Sequence, residues 1–128
     1  MDQTEARPVI LVVDDQECNR DLLNTILGTM GYEVLVADNG VDAVKIVASE
    51  VPDLIIMDLS MPVMDGFGAV RLMREVPGIR EVPVIACSAH DTSTHRVQAL
   101  GVGFDEFLPK PIDFNELDFL LRRFLKAA

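Results

Sequence analysis

The sequence has no surplus of positive charge. Eleven Lys and Arg stand against 21 Asp and Glu, for a net charge of −10. Surfaces that bind nucleic acid or anionic lipid need clustered Lys and Arg, so neither partner is expected. No apolar run approaches the roughly 20 residues of a membrane span. Cys18 and Cys87 fall at no metal-binding or redox spacing, and His90 and His95 do not suggest a histidine metal site. No repeat, low-complexity stretch or linker interrupts the pattern. The opening MDQTEARP is polar and acidic, unlike a secretory leader. These absences together point to a reduced, cytoplasmic protein.

What is present suits one domain. The chain has 128 residues, 49% hydrophobic and 25% charged, enough for a single core and too apolar for a disordered chain. Short apolar runs at Val9–Val13, Val34–Ala37, Leu54–Met57 and Val84–Cys87 read as strands, with a shorter one at Glu106–Leu108. The first, third and fourth are apolar throughout, as strands buried on both faces of a parallel sheet are. Helical spacing lies between them. Leu22, Leu23, Ile26 and Leu27 share one face of a predicted helix that stops before Gly28–Gly31. Val44 and Val47 mark a second helix, and Val70 and Met73 a third that ends by Pro77-Gly78. A weaker one, poor in apolar residues, is expected near Thr92–Leu100. The last, from Asp113 on, carries Leu117, Leu120, Leu121 and Phe124, with acids early and bases late as the helix dipole favours. A strand-helix unit repeated five times, with right-handed crossovers, predicts a three-layer α/β sandwich around a parallel sheet.

One stretch resists this simple picture. In VILVVDD, residues 9–15, a buried strand runs directly into two carboxylates. Two such charges 4 Å apart repel by roughly 4 kcal/mol at an effective dielectric of 20. Open α/β sheets bind ligands beyond the carboxyl ends of their strands, where the strand order reverses. In the order 2-1-3-4-5 that point lies between the first and third strands. The strand ends carry Asp14 and Asp15, then Asp58, Ser88 and Lys110. Three carboxylates are tolerable at one edge if Lys110 and a divalent cation offset them. A few carboxylates with open positions suit Mg²⁺, which also takes phosphate oxygens. A carboxylate in such a site can accept a phosphoryl group covalently, with the lysine and a hydroxyl holding its oxygens.

At this point the chain resembles the receiver domain of two-component response regulators. The matching pieces are VVDD at 12–15, PDLIIMDLSMPVMDG at 52–66, VIACSA at 84–89 and FLPKP at 107–111. The resemblance spans nearly the whole chain and implies a flavodoxin-like (βα)5 fold. It makes Asp58 the phosphoacceptor. Asp15 becomes a direct Mg²⁺ ligand, and Asp14 a direct or water-mediated one. The backbone carbonyl of Ser60 becomes a further ligand, beside Asp58 itself. Ser88 and Lys110 would hold the phosphoryl oxygens, and Lys110–Pro111 would be cis. Phe107 takes the place of a rotating aromatic that swings inward with Ser88 on phosphorylation. The sequence departs from the family at Ser88, where Thr is commoner, and at Phe107, which lacks the hydroxyl of the frequent Tyr. Gly68 falls inside the third helix, at a cost of about 1 kcal/mol relative to Ala.

The implied protein is a single receiver domain over residues 1–128 without an output domain, stand-alone like the chemotaxis receivers. It is a phosphoacceptor switch and not an enzyme acting on a separate substrate. Its donor would be a histidine kinase or a histidine phosphotransfer protein. Its downstream partner would dock on the face of the helix near 92–100, the fifth strand and the last helix. A receiver detached from a hybrid histidine kinase is the nearest alternative. A haloacid-dehalogenase-type phosphatase would need a second Asp two residues after the nucleophile, where Ser60 stands. A flavin-binding relative would want a neutral, hydroxyl-rich loop where DDQEC stands.

Overall fold

The structure is a computed structural model that describes residues 7–59, 66–76, 78–79, 81–88, 100–101 and 103–125. Its strands are β1 (Val9–Val13), β2 (Glu33–Ala37), β3 (Leu54–Asp58), β4 (Val84–Ser88) and β5 (Glu106–Pro109). Its helices are α1 (Glu17–Thr29), α2 (Gly40–Ser49), α3 (Gly66–Met73) and a last helix over Phe114–Phe124. The five strands form one parallel sheet in the order β2-β1-β3-β4-β5. This is the expected doubly wound architecture. The helix expected near Thr92–Leu100 lies outside the described residues apart from its end.

Side chains alternate across a strand, so the sheet builds two cores. On one face Leu11, Val13, Ile55, Met57, Ala86 and Phe107 pack with α2 and α3 through Val47, Val70 and Met73. On the other face Ile10, Val12, Leu54, Ile56, Cys87 and Leu108 pack with α1 and the last helix through Leu23, Leu27, Leu117 and Leu121. Each fully buried Leu or Ile contributes about 1.5–3 kcal/mol, so both layers are held firmly on the sheet.

Two local expectations need correction. Leu22 is 51% exposed, and the buried stripe of α1 is Leu23 and Leu27. At 100° per residue Leu22 lies a full step off that stripe. The helix also continues through Gly28. It ends where Gly31 takes φ 101, a left-handed conformation that favours glycine. Tyr32 N then donates to Leu27 O at 3.0 Å and closes the end. The last helix starts as expected: Asp113 Oδ1 accepts from the backbone of Asn115 (2.9 Å) and Glu116 (3.3 Å).

At the amino ends of β4 and β5, Arg74 ties three segments together. Its guanidinium donates to the carbonyls of Ile79 (2.9 Å), Val82 (2.8 Å) and Gly103 (2.8 Å), and pairs with Asp105 at 3.1 Å. Asp105 in turn accepts from Val84 N at 2.8 Å, which fixes the start of β4. Among the described residues no helix is long and apolar enough to cross a membrane.

Candidate functional site

The carboxyl ends of β1, β3 and β5 bring the acids and the lysine together. The register pairs Val13 with Met57 and Asp58 with Cys87, so Asp14 and Asp58 stand at the same level of neighbouring strands. Alternation puts both on the Val12/Ile56/Cys87 face, toward α1 and the last helix. Asp14 is 4% exposed and Asp58 6% exposed, whereas Asp15 is open to solvent. Lys110 Nζ lies 3.0 Å from Asp14 Oδ2 and 3.4 Å from Asp58 Oδ2. One ammonium therefore serves two nearly buried carboxylates.

The electrostatics follow from that sharing. Burial works against the charged form of Lys110. The bond to Asp14 and the charges of Asp58 and Asp14 outweigh it, so the lysine's pKa is raised. Cys87 beside them is pushed up to about 12. Burial is the main cause; Lys110 opposes it, and Asp58 and Asp14 add to it. Cys87 is a neutral thiol at physiological pH and packs as a small apolar residue.

Asp14 is held by several protein donors. Its Oδ1 accepts from Gln16 N at 2.9 Å, and its Oδ2 accepts from Asn19 Nδ2 at 3.4 Å as well as from Lys110. Its backbone is held from both sides. Asp14 N donates to Ala37 O at 3.1 Å, and Arg20 Nη1 donates to Asp14 O at 2.8 Å. Asn19 and Arg20 had not been singled out from the sequence. The signal available was their place in the first turn after an acidic pair, where α1 has no side-chain cap of its own.

The remaining candidates divide by face. Ser88 ends β4 and is fully buried, one residue beyond the Cys87 that pairs with Asp58. Its backbone carbonyl accepts from Lys110 N at 2.9 Å. Alternation places Ser88 with Ala86 and Phe107 on the opposite face from Lys110. Phe107 is 2% exposed and packed in the core, so the described state already holds the ring inside. The Lys110–Pro111 bond is cis, as the resemblance implied. Ser60 lies outside the described residues.

Asp14, Asp15 and Asp58 each offer an oxygen, and the three oxygens lie within 4.8 Å of one another. Hard oxygen donors at this spacing fit a small divalent cation. Mg²⁺ keeps several waters of its own, so it would need only some of these oxygens as direct ligands. The oxygens of Asp14 are already engaged by protein donors, so Asp15 and Asp58 are the better-placed direct ligands. Beside the acids a cavity of about 210 Å³ opens between α1 and the last helix, lined by Leu22, Leu23, Ile56, Ile112 and Phe114.

Comparison with known proteins agrees with this geometry. The model of the response regulator receiver domain family matches residues 10–122. An uncharacterized 14.6 kDa protein of Leptolyngbya boryana is 40% identical over 125 residues, covering 98% of this chain and 95% of that protein. The response regulator MprA of Mycobacterium ulcerans is 37% identical over 93% of this chain, which spans 50% of MprA's length. Among solved structures, the receiver domain of the Pseudomonas aeruginosa sensor histidine kinase PA1611 superposes with a TM-score of 0.87 at 33% identity. That alignment covers 95% of this chain and all of the other, which was solved with magnesium coordinated in its active-site cleft. A doubly wound sheet with an acidic pocket at its switch point defines the class, and the chain belongs to the receiver domain family of two-component systems.

Proposed function

We propose that the protein is a phosphorylation-controlled binding module that accepts a phosphoryl group on Asp58. The observation that carries this reading is the placement of Asp58 at the tip of β3, 3.4 Å from Lys110 and grouped with Asp14 and Asp15. A carboxylate oxygen of Asp58 attacks phosphorus. The bond from phosphorus to the donor's imidazole nitrogen breaks, and the imidazole leaves. Lys110 pairs with the phosphoryl oxygens and so gives up part of its hold on Asp14 and Asp58. The Ser88 hydroxyl donates to one of those oxygens. Mg²⁺ held by Asp15 and Asp58, with Asp14 behind it, would offset the negative charge that gathers there. The apolar cavity beside the acids leaves the site open to a donor approaching between α1 and the last helix.

The donor is a histidine kinase or a histidine phosphotransfer protein, and the setting is cytoplasmic. The output leaves by a protein-binding face that includes β5 and the last helix, where Phe119 is exposed. The net charge of −10 argues against nucleic acid and anionic membrane as partners. The protein acts as a switch and not as an enzyme on a separate substrate. Likeness to the receiver of a sensor kinase keeps a second reading open, in which the same module works inside a hybrid kinase. Mass spectrometry after treatment with acetyl phosphate and Mg²⁺ tests the common core of both. The expected result is one phosphoryl per chain in the wild type and none in Asp58→Asn. Wild-type incorporation in Asp58→Asn refutes the assignment.

A further inference from the structure

We propose that Asn19 is a positioning residue for the phosphoryl-accepting site, its side-chain amide setting the orientation of the Asp14 carboxylate. The proposal rests on the receiver reading given above. An asparagine amide has two N–H donors, and here both are placed. Nδ2 donates to Asp14 Oδ2 at 3.4 Å and to Gln16 Oε1 at 3.2 Å. Asn19 is itself anchored, because its backbone N–H donates to Gln16 O at 3.1 Å in the first turn of α1. Arg20, the next residue, fixes the Asp14 main chain through its carbonyl. Asn19 therefore fixes the carboxylate where Arg20 fixes the backbone.

The geometry gives this contact a consequence beyond local structure. Asp14 Oδ2 is the oxygen that also accepts from Lys110 at 3.0 Å. A carboxylate turning about its terminal torsion has a broad, shallow preference, so its direction is set by its partners. Gln16 N holds one oxygen and Asn19 holds the other, which keeps Oδ2 aimed at Lys110 and level with Asp58. Without Asn19 the second oxygen is held by the lysine alone. The lysine is the group that must turn toward the phosphoryl oxygens during transfer. Asn19 keeps Asp14 in place through that step. Asp14 would stand behind the metal held by Asp15 and Asp58, and outer partners that orient such a site are typically worth 10–100-fold in affinity or activity.

Asn19→Leu removes the amide at a half-buried position while keeping the branched outline of the side chain. The expected result is a loss of about tenfold in Mg²⁺ affinity, read by amide chemical shifts, and in the rate of phosphorylation by acetyl phosphate. Both losses should appear with the melting temperature nearly unchanged. Asn19→Gln, which keeps a donor, should retain more of both than Asn19→Leu. The deciding comparison is a cycle with Asp14→Asn. A residue acting through Asp14 has no further effect once the carboxylate is gone, so Asn19→Leu should be silent in that background. An equal loss in both backgrounds, or no loss in either, overturns the proposal. A wild-type protein that takes no phosphoryl on Asp58 would sink the receiver reading instead, and the affinity arm would still score Asn19.

Discussion

Lys110 is the only cation paired with the acid cluster among the described ion pairs, and its removal separates the demands of stability from those of function. At an effective dielectric of 20, its contacts of 3.0 Å to Asp14 and 3.4 Å to Asp58 are worth about 5.5 and 4.9 kcal/mol of attraction. The two acids, with oxygens no more than 4.8 Å apart, repel by at least about 3.5 kcal/mol on the same scale. Methionine in place of Lys110 keeps the stem and removes the charge. It also removes the desolvation of the ammonium, so the net loss is smaller than the summed attractions. Removing one partner of a buried pair costs about 3–5 kcal/mol. For a domain of 128 residues that corresponds to a drop in Tm on the order of 10–20 °C.

The same substitution should move cation binding the other way. In Lys110→Met no ammonium competes for Asp14 and Asp58, and none repels the incoming dication. A gain of at least about tenfold in Mg²⁺ affinity, or 1.4 kcal/mol, uses only a fraction of that repulsion. Mg²⁺ at a hundredfold excess over its dissociation constant should then return about 2.7 kcal/mol of the lost stability. Phosphoryl incorporation should fall, because the lysine no longer meets the phosphoryl oxygens. Thermal melts in chelator and in graded Mg²⁺, with mass spectrometry of the phosphorylated product, read all three. If Lys110→Met melts within about four degrees (about 1 kcal/mol) of wild type in chelator and binds Mg²⁺ no more tightly, the ammonium is not what balances the acids.

Phe107→Ala should cost about 3–5 kcal/mol because the ring is in the core, so Phe107→Leu is the cleaner probe of a switch; a loss under 1 kcal/mol for the Ala variant would contradict that burial. A thiol reagent at pH 8 should label Cys18 rapidly and Cys87 only on unfolding, since one is exposed and the other buried and protonated; two fast thiols would refute it. Native Cys87 keeps its proton to about pH 12, whereas the unfolded thiol ionises near its ordinary value of 9.0. Stability should therefore fall as pH rises above about 9, by up to about 1.4 kcal/mol per unit, and urea melts of Cys87→Ala should show a shallower fall. Lys110, also raised, adds loss in the same direction only above its ordinary value of 10.5.

The fold was legible because β1, β3 and β4 carry near-continuous apolar runs, a pattern that only a strand covered on both faces tolerates. The acids and Lys110 were legible because each directly follows or ends such a run, and the register brings strand ends to one level whatever the loops do. Leu22 misled because helical spacing fixes a stripe only to within a residue, and the stripe centres on Leu23 and Leu27. Gly31 rather than Gly28 ends α1, and only the left-handed φ distinguishes two glycines three residues apart. Asn19, Gln16 and Arg20 were illegible for another reason. A polar residue in the first turn of a helix faces solvent as readily as it faces a carboxylate, and composition does not choose between them. Arg74 is the same case, since nothing in its neighbours foretells bonds to both the loop before β4 and the loop before β5.

The division of residues between the two faces says how a modification at Asp58 could be felt elsewhere. Asp14, Asp58 and Lys110 share the face of Val12, Ile56 and Leu108, whose core is tightly packed against α1 and the last helix. Phe107 belongs to the other core, under α2 and α3. A charge added to Asp58 is therefore felt at the ring across the end of the sheet. The shortest crossing is at the end of β4. There Ser88 sits one residue past the partner of Asp58, two past Ala86, which pairs with Phe107, and bonded through its carbonyl to Lys110 N. Ser88 is thus a strand-end residue that would meet a phosphoryl group with its hydroxyl while its strand carries Ala86, the partner of Phe107. Packed cores shift between discrete arrangements rather than deforming smoothly, so a small displacement of this strand end is sufficient to bias the ring. The methyl that Ser88 lacks relative to Thr leaves its hydroxyl freer to turn, which lowers the barrier to that displacement but weakens its directional hold.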